Sequence, residues 1–176
     1  RFLCVTHETK GLSASVEAVP PWDDFADLTN PSGPKNPSCY RRLRAFHPDI
    51  AATFGPRFVS LDIDCLITRD LTPIWDRSED FVIWGDTNPR TAYNASMFLL
   101  SAGARPQVWD RFNPETSPSA SYEAGCFGSD QGWISHCLGP KEMRWTKADG
   151  VYSYRNEILN RHEFRSQPPN DARIIF

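Results

Sequence analysis

Short apolar runs that meet polar residues at one end recur along the chain and predict β-strands. Residues 58–61, 81–84 and 93–101 are such runs, and Asp62 and Asp64 directly follow the first. Carboxylates are costly inside a sheet, so this pair is expected at the strand's C-terminal rim, where α/β sheets bind ligands. Further strands are predicted at residues 1–6, in a buried setting, and at 16–19, 143–145, 151–154 and 172–176.

Apolar residues at helical spacing predict three helices, at residues 38–46, 104–112 and 131–138. Thr72 as N-cap, followed by Pro73, predicts a further one-turn helix. Ser129 or Asp130 is expected near the start of the last helix, which should end at Gly139. The Pro- and Ser-rich segments 11–38 and 113–125 are predicted to be loops, apart from the strand at 16–19.

Strands interleaved with short helices indicate an α/β fold with a mixed central sheet flanked by those helices. A length of 176 residues and a hydrophobic fraction of 40% suit one domain with one substantial core. The polar residues at element ends are predicted to gather on one rim: Asp62, Asp64, Asp86, Asn94, Asp130 and Gln131.

The composition argues against several classes of binding partner. A net charge of −3 without a basic tract argues against nucleic acid or an anionic membrane. No apolar run approaches the roughly 18 residues of a membrane span. Five cysteines without a C-x-x-C pair predict reduced thiols in the cytoplasm and no zinc site. Because the sequence opens on a strand pattern without Met, residues 1–176 are expected to be one domain and a fragment of a longer chain.

The Asp62-Ile63-Asp64 segment predicts a cation site. Its two carboxylates lie at strand spacing, so both project to one side of the backbone and offer the hard oxygen ligands that Mg²⁺ or Mn²⁺ prefers. Two carboxylates would repel a diphosphate unless a divalent cation lay between the carboxylates and the diphosphate. Activation of a departing diphosphate by a Lewis acid is therefore the predicted chemistry.

Three segments in order carry a family resemblance. Residues 58–64 (FVSLDID), 93–100 (YNASMFLL) and 128–131 (GSDQ) resemble the D-x-D, N-A-G-hydrophobic and D-Q segments of GT-A glycosyltransferases. The order and approximate spacing are similar to the retaining family 8, which contains glycogenin and lipopolysaccharide galactosyltransferases. The resemblance implies a single GT-A-like, Rossmann-like catalytic domain that transfers a sugar from a nucleotide-sugar, a UDP-sugar, to a carbohydrate or other acceptor.

The resemblance also implies residue roles. Asp62 would contact the nucleotide ribose and the metal, Mn²⁺ or Mg²⁺, and Asp64 would ligate that metal. Asn94 and Gln131 would line the donor-sugar pocket. Asp130 would bind the sugar hydroxyls, and Gln131 would support transfer with retention at the front face of the sugar. Asp130 and Gln131 are thus the implied catalytic residues.

The chain departs from the family pattern in two ways. Ser96 stands where the family has glycine, next to the sugar. Family members also carry a base-binding strand earlier in the chain and a later metal-binding His, so the resemblance implies that residues 1–176 are a catalytic domain truncated at both ends. None of the four histidines, His7, His47, His136 and His162, lies in the sequence context of that ligand.

Two other functions stay open from the residues. A haloacid-dehalogenase-like phosphohydrolase also places D-x-D after an apolar strand and uses the first Asp as nucleophile. The motif of that family has Thr or Val at the position where this chain has Leu66. A degenerate glycosyltransferase-like domain would bind carbohydrate without turnover.

Several residues have structural interpretations that compete with functional ones. Arg41, Arg42 and Arg44 are predicted to form a solvated helix face, with contact to a phosphate as the lesser hypothesis. Asp86 is interpreted first as a turn residue and second as a substrate contact.

Overall fold

The computed structural model describes residues 1–31, 39–159, 161, 164 and 167–176. Within them the strands are β1 Phe2–Val5, β2 Val16–Val19, β3 Arg57–Leu61, β4 Leu66–Ile67, β5 Phe81–Gly85, β6 Tyr93–Ser101, β7 Arg144–Trp145, β8 Val151–Tyr152 and β9 Ile174–Ile175. The α-helices are α1 Ala51–Phe54, α2 Thr72–Trp75, α3 Gln107–Asp110, α4 Ser117–Glu123 and α5 Asp130–Leu138. Two 3-10 helices (Cys39–Phe46 and Lys147–Asp149) and one π-helical turn (Tyr154–Ile158) complete these elements.

A four-stranded sheet in the order β3-β6-β5-β7 forms the centre of the molecule. β6 pairs antiparallel with β3 and β5, and β7 joins β5 in parallel, so the sheet is mixed. Each face carries its own hydrophobic core. On β5, Phe81 and Ile83 pack on one face, whereas Val82 and Trp84 pack on the other. This alternation confirms the predicted α/β fold with a mixed sheet.

A bulge in β6 determines which side chains reach the rim. Tyr93 and Ala95 pack on the same face as Phe98, so the two-residue alternation shifts between Ala95 and Met97. The shift coincides with the irregular pairing of β6 beside Ile83 and Trp84. Such a bulge redirects side chains at the end of a sheet.

Two smaller sheets lie outside the central one. β9 pairs with β4 and β8, which makes a three-stranded sheet immediately beyond the Asp62-Ile63-Asp64 segment. β1 and β2 pair in parallel. The prediction that residues 1–6 form a buried strand is wrong in its burial, because Phe2 is 63% exposed.

The helix predictions hold in place but not always in extent. α3 is shorter than the predicted helix at 104–112, and the predicted loop at 113–125 contains α4. The one-turn helix α2 is present, but Leu71 occupies its N-cap position and the Asp70 carboxylate accepts from Thr72 N. β4 was not predicted. The predicted first residue of the first helix, Ser38, lies outside the described residues.

In the described part of the chain the longest helix, α5, has nine residues, and no helix there has the length and apolarity to cross a membrane. All five cysteines are free thiols in the structure.

Candidate active site

A cleft of about 1210 Å³ opens where the ends of β3, β5 and β6 meet the start of α5. Five of the six predicted rim residues line it: Asp64, Asp86, Asn94, Asp130 and Gln131. The sixth, Asp62, contacts Ser96, which also lines the cleft. The structure therefore brings together residues that the sequence separates widely.

The end of β3 sets the direction of the two aspartates. Asp62 N donates to Ser96 O at 2.9 Å, so the pairing of β3 with β6 continues one residue beyond the strand. The chain then turns outward, leaving Ile63 95% exposed and Asp64 exposed on the cleft side. Asp62 is thereby held at the cleft wall, while Asp64 faces solvent.

Arg42 joins two of the site carboxylates and was missed as a site residue. Its guanidinium pairs with Asp62 Oδ1 and lies 3.2 Å from Asp130 Oδ2. The predicted solvated arginine face is wrong: the Arg42 side chain is only 27% exposed, and Arg44 pairs with Asp49 and packs over the Trp109 ring. Both partners of Arg42 are distant in sequence, so no local spacing could have identified the pairings.

Burial is the largest single influence on the pKa values of Asp62 and Arg42. It raises the pKa of Asp62 above its ordinary value, although Arg42 and the Ser96 hydroxyl both favour the charged form. Burial by itself would lower the pKa of Arg42, but the nearby carboxylates of Asp130 and Asp62 raise it overall. The arginine therefore stays charged between two acids.

Asn94 and Ser96 share the cleft side of β6 because they are two residues apart. Asn94 Oδ1 accepts from Ser96 N at 2.9 Å. The side-chain oxygen of Asn94 is thus engaged by the backbone, and its amide nitrogen is the group that it can present to a ligand.

The N-terminus of α5 places Asp130 and Gln131. Of the two residues expected near the start of this helix, Ser129 is the N-cap, since its hydroxyl accepts from Gly132 N at 3.2 Å. Position 132 in the first turn of α5 requires glycine, because a Cβ there would lie 1.6 Å from Phe127 O. Asp130 is only 5% exposed, yet within the described residues its Oδ2 has the ion pair with Arg42 but no well-aligned hydrogen bond.

Asp86 is a turn residue that also holds Gln131. Its Oδ1 accepts from Asn88 N at 2.9 Å, and Thr91 donates to its Oδ2. Gln131 Nε2 donates to the same Oδ2 at 3.2 Å. Because a carboxylate only accepts, the amide nitrogen of Gln131 faces Asp86 and its carbonyl oxygen points away from that acid.

Asp62 and Asp64 are the carboxylates at the cleft that a hard cation could use together with a ligand. Among the residues that the structure describes, no group of three or more His, Cys, Asp and Glu side chains is placed to hold a metal ion. Asp62 and Asp64 therefore offer two carboxylates at most. Sites of this kind bind Mg²⁺ through one or two carboxylates together with substrate phosphates.

The thiols at the cleft are not nucleophiles. Cys39 and Cys65 line it, and Asp130 N donates to the Cys39 sulfur at 3.4 Å. Burial, assisted by the charge of Asp130, raises the pKa of Cys39 to about 12, and burial also raises that of Cys65. The raised pKa values keep both thiols protonated at neutral pH, which disfavours them as nucleophiles.

This arrangement of a mixed sheet, short flanking helices and a polar cleft at the strand ends has the GT-A fold. It matches the crystal structure of the galactosyltransferase LgtC in complex with donor and acceptor sugar analogues, with a TM-score of 0.53 and 17% identity. The match covers 94% of this chain and 67% of that one. The predicted resemblance to GT-A glycosyltransferases is thus confirmed at the level of fold.

The searches by sequence gave no match. No family model and no curated protein matches the chain.

Proposed function

We propose that the protein is a metal-dependent glycosyltransferase that moves a sugar from a UDP-sugar to a carbohydrate or other acceptor, with retention. The observation that carries this proposal is the convergence of Asp64, Asn94, Asp130 and Gln131 on one cleft, with Asp62 at its wall. Residues 1–176 would form one catalytic domain. The five free thiols support a cytoplasmic location.

Asp62 and Asp64 would hold Mn²⁺ or Mg²⁺ together with the donor diphosphate. The exposed Asp64 is available to a cation from the cleft, and Asp62 is fixed beside it by Arg42 and Ser96. The bound cation would offset the negative charge that develops on the leaving diphosphate. Asp62 and Asp64 are both required in this proposal because their negative charges bind the cation.

The sugar would lie between β6 and the start of α5. The Asn94 amide nitrogen and the buried Asp130 carboxylate suit hydrogen bonds to sugar hydroxyls, one as donor and one as acceptor. The unaligned Asp130 Oδ2 gives that residue remaining acceptor capacity. Asp86 acts on the sugar through Gln131, which it orients.

Transfer with retention would use Gln131 and the leaving group. The Gln131 carbonyl oxygen, directed away from Asp86, is suited to stabilise positive charge on the sugar as the glycosidic bond to phosphate breaks. The acceptor hydroxyl would add to the same face and give its proton to the departing phosphate oxygen. Asp130 is held by Arg42, which favours a sugar-binding role over a nucleophilic one.

The alternatives receive less support. In a phosphohydrolase Asp62 would be the nucleophile, but Leu66 stands where the motif of that family has Thr or Val. A degenerate domain that binds carbohydrate without turnover would not need the cation that we propose for Asp62 and Asp64.

Hydrolysis of UDP-sugars tests the proposal. The protein is expected to release UDP slowly when Mn²⁺ is present, and Asp64→Ala should lower this rate by at least about 100-fold because the diphosphate loses its counter-charge. Asp27→Ala, which removes an exposed acid elsewhere, should leave the rate unchanged. Equal rates for Asp64→Ala and the unmodified protein would refute the metal role, and a phosphorylated Asp62 would favour the phosphohydrolase.

A further inference from the structure

Ser96 connects the groups that define the cleft. Its hydroxyl donates to Asp62 Oδ2 at 2.7 Å, its backbone oxygen accepts from Asp62 N at 2.9 Å, and its backbone nitrogen donates to Asn94 Oδ1 at 2.9 Å. All three polar groups of one residue are therefore bonded to residues of the candidate site.

The bulge in β6 makes this arrangement possible. Ser96 lies where the strand alternation shifts, so its backbone does not follow the regular pairing with β5. The hydroxyl consequently reaches the carboxylate that follows β3. Glycine, which the family resemblance led us to expect here, would keep the backbone contacts but lose the hydroxyl.

Asp62 is fixed from two directions and still has capacity to bind. Arg42 donates to Oδ1, and Ser96 donates to Oδ2. An ionised carboxylate has about four acceptor positions, so each oxygen keeps one lone pair for a further partner. The two bonds restrict rotation of the carboxylate without saturating it.

We propose that Ser96 is a positioning residue that orients Asp62 for a divalent cation. This inference rests on the proposed function, because it assigns Ser96 to the cation site of that reaction. Hydrogen bonds to a ligating carboxylate set its orientation, and their loss weakens metal binding. The Ser96 hydroxyl has this role in the chain, with Arg42 as the second support.

Mn²⁺ binding tests the role without requiring turnover. Titrations followed by electron paramagnetic resonance, with Mn²⁺ alone and with Mn²⁺ plus UDP, would compare the unmodified protein with Ser96→Ala and Ser96→Gly. Both variants should bind Mn²⁺ about ten-fold more weakly, because Asp62 loses one of its two supports. Ser96→Thr keeps the hydroxyl and should bind within about two-fold of the unmodified protein.

Two controls separate positioning from general loss of structure. Ser78→Ala removes an exposed serine and should not change Mn²⁺ affinity. The melting temperature of each variant reports on folding, and the Mn²⁺ affinity of Ser96→Ala should fall even where its melting temperature is preserved.

Unchanged or tighter Mn²⁺ binding in Ser96→Ala would overturn the inference, as would the failure of every protein to bind Mn²⁺. If the unmodified protein still hydrolyses UDP-sugars with Mn²⁺ while Ser96→Ala binds the ion normally, only the role of Ser96 fails. If the unmodified protein neither binds Mn²⁺ nor acts on any UDP-sugar, the proposed function fails as well.

Discussion

Arg42 and Arg105 each lie between two carboxylates, and their two clusters differ in how completely the groups are bonded. The cleft cluster consists of Arg42, Asp62 and Asp130, and the rear cluster consists of Arg105, Asp80 and Glu142. The two arginine side chains are similarly exposed, at 27% and 23%. Composition and burial of the arginine therefore do not distinguish them.

The rear cluster is fully bonded. Arg105 donates to both oxygens of Glu142, at 2.7 and 2.8 Å, and to both oxygens of Asp80, at 3.1 and 3.3 Å. Its guanidinium also lies over the Phe81 ring, 5.4 Å from the centroid. The backbone of Arg105 has a positive φ of 58°, which is an uncommon conformation for a residue with a side chain.

The cleft cluster is only partly bonded. Among the described residues Asp130 Oδ2 lacks a well-aligned hydrogen bond, although Asp130 is buried. An incompletely bonded buried network costs stability, and natural proteins keep such networks at functional sites. The comparison indicates that the rear cluster stabilises the fold and the cleft cluster retains capacity for a ligand.

Removal of each arginine should separate these roles. Arg42→Ala leaves Asp62 and Asp130 without their positively charged partner and should lower the free energy of unfolding by about 2–4 kcal/mol. It should also reduce UDP-sugar hydrolysis by about 100-fold or more, since Asp62 and Asp130 lose their positions. Urea denaturation and the hydrolysis assay measure the two effects.

Arg105→Ala is the matched control. It should cost similar stability, about 2–3 kcal/mol, through the loss of the bidentate pair with Glu142. Its hydrolysis rate, measured well below its melting temperature, should stay within about three-fold of the unmodified protein. The comparison breaks down if both variants lose activity equally.

A smaller effect is expected from the charge of Asp62. Because burial raises the pKa of Asp62, its ionised form costs stability, and that cost fades as the pH falls through the raised pKa. Asp62→Asn should therefore be slightly more stable than the unmodified protein at neutral pH, with the difference shrinking in acid. Its amide can accept from Arg42 and donate to Ser96, so the packing is preserved.

Thermal melts of the unmodified protein and of Asp62→Asn, recorded from neutral to acidic pH, provide the measurement. A difference that grows as the pH falls would contradict the sign of the Asp62 pKa shift. Arg105 supplies the contrast: its hydrogen bond to Glu142 raises its pKa, so it stays charged at all these pH values and adds no such slope.

Local sequence signals predicted the elements that carry the site, but not the contacts between them. The apolar run before Asp62 and the Ser129 cap of α5 are local patterns, and both were confirmed. The bulge in β6 was not predicted, because every position from Met97 to Leu100 is apolar and buried and hides the change of alternation. The α4 helix was missed although Pro118 in its first turn is a start signal.

The pairing of Arg42 was beyond local reasoning. An arginine on an amphipathic helix is most often solvated, and the packing of the Cys39–Phe46 helix against α5 brings Arg42 between Asp62 and Asp130. The role of Ser96 depends in the same way on a long-range contact. The predicted functions of Asp62, Asp64, Asn94, Asp130 and Gln131 remain proposals.

The most direct test of a metal-dependent nucleotide-sugar site is a thermal-shift series with UDP-, GDP- and CMP-sugars, each with and without Mn²⁺. A ligand that binds only the folded state stabilises it by about 2.7 kcal/mol at one hundred times its dissociation constant. We predict a rise in melting temperature with a UDP-sugar that requires Mn²⁺. The absence of any Mn²⁺-dependent shift with all three classes of donor would contradict the account.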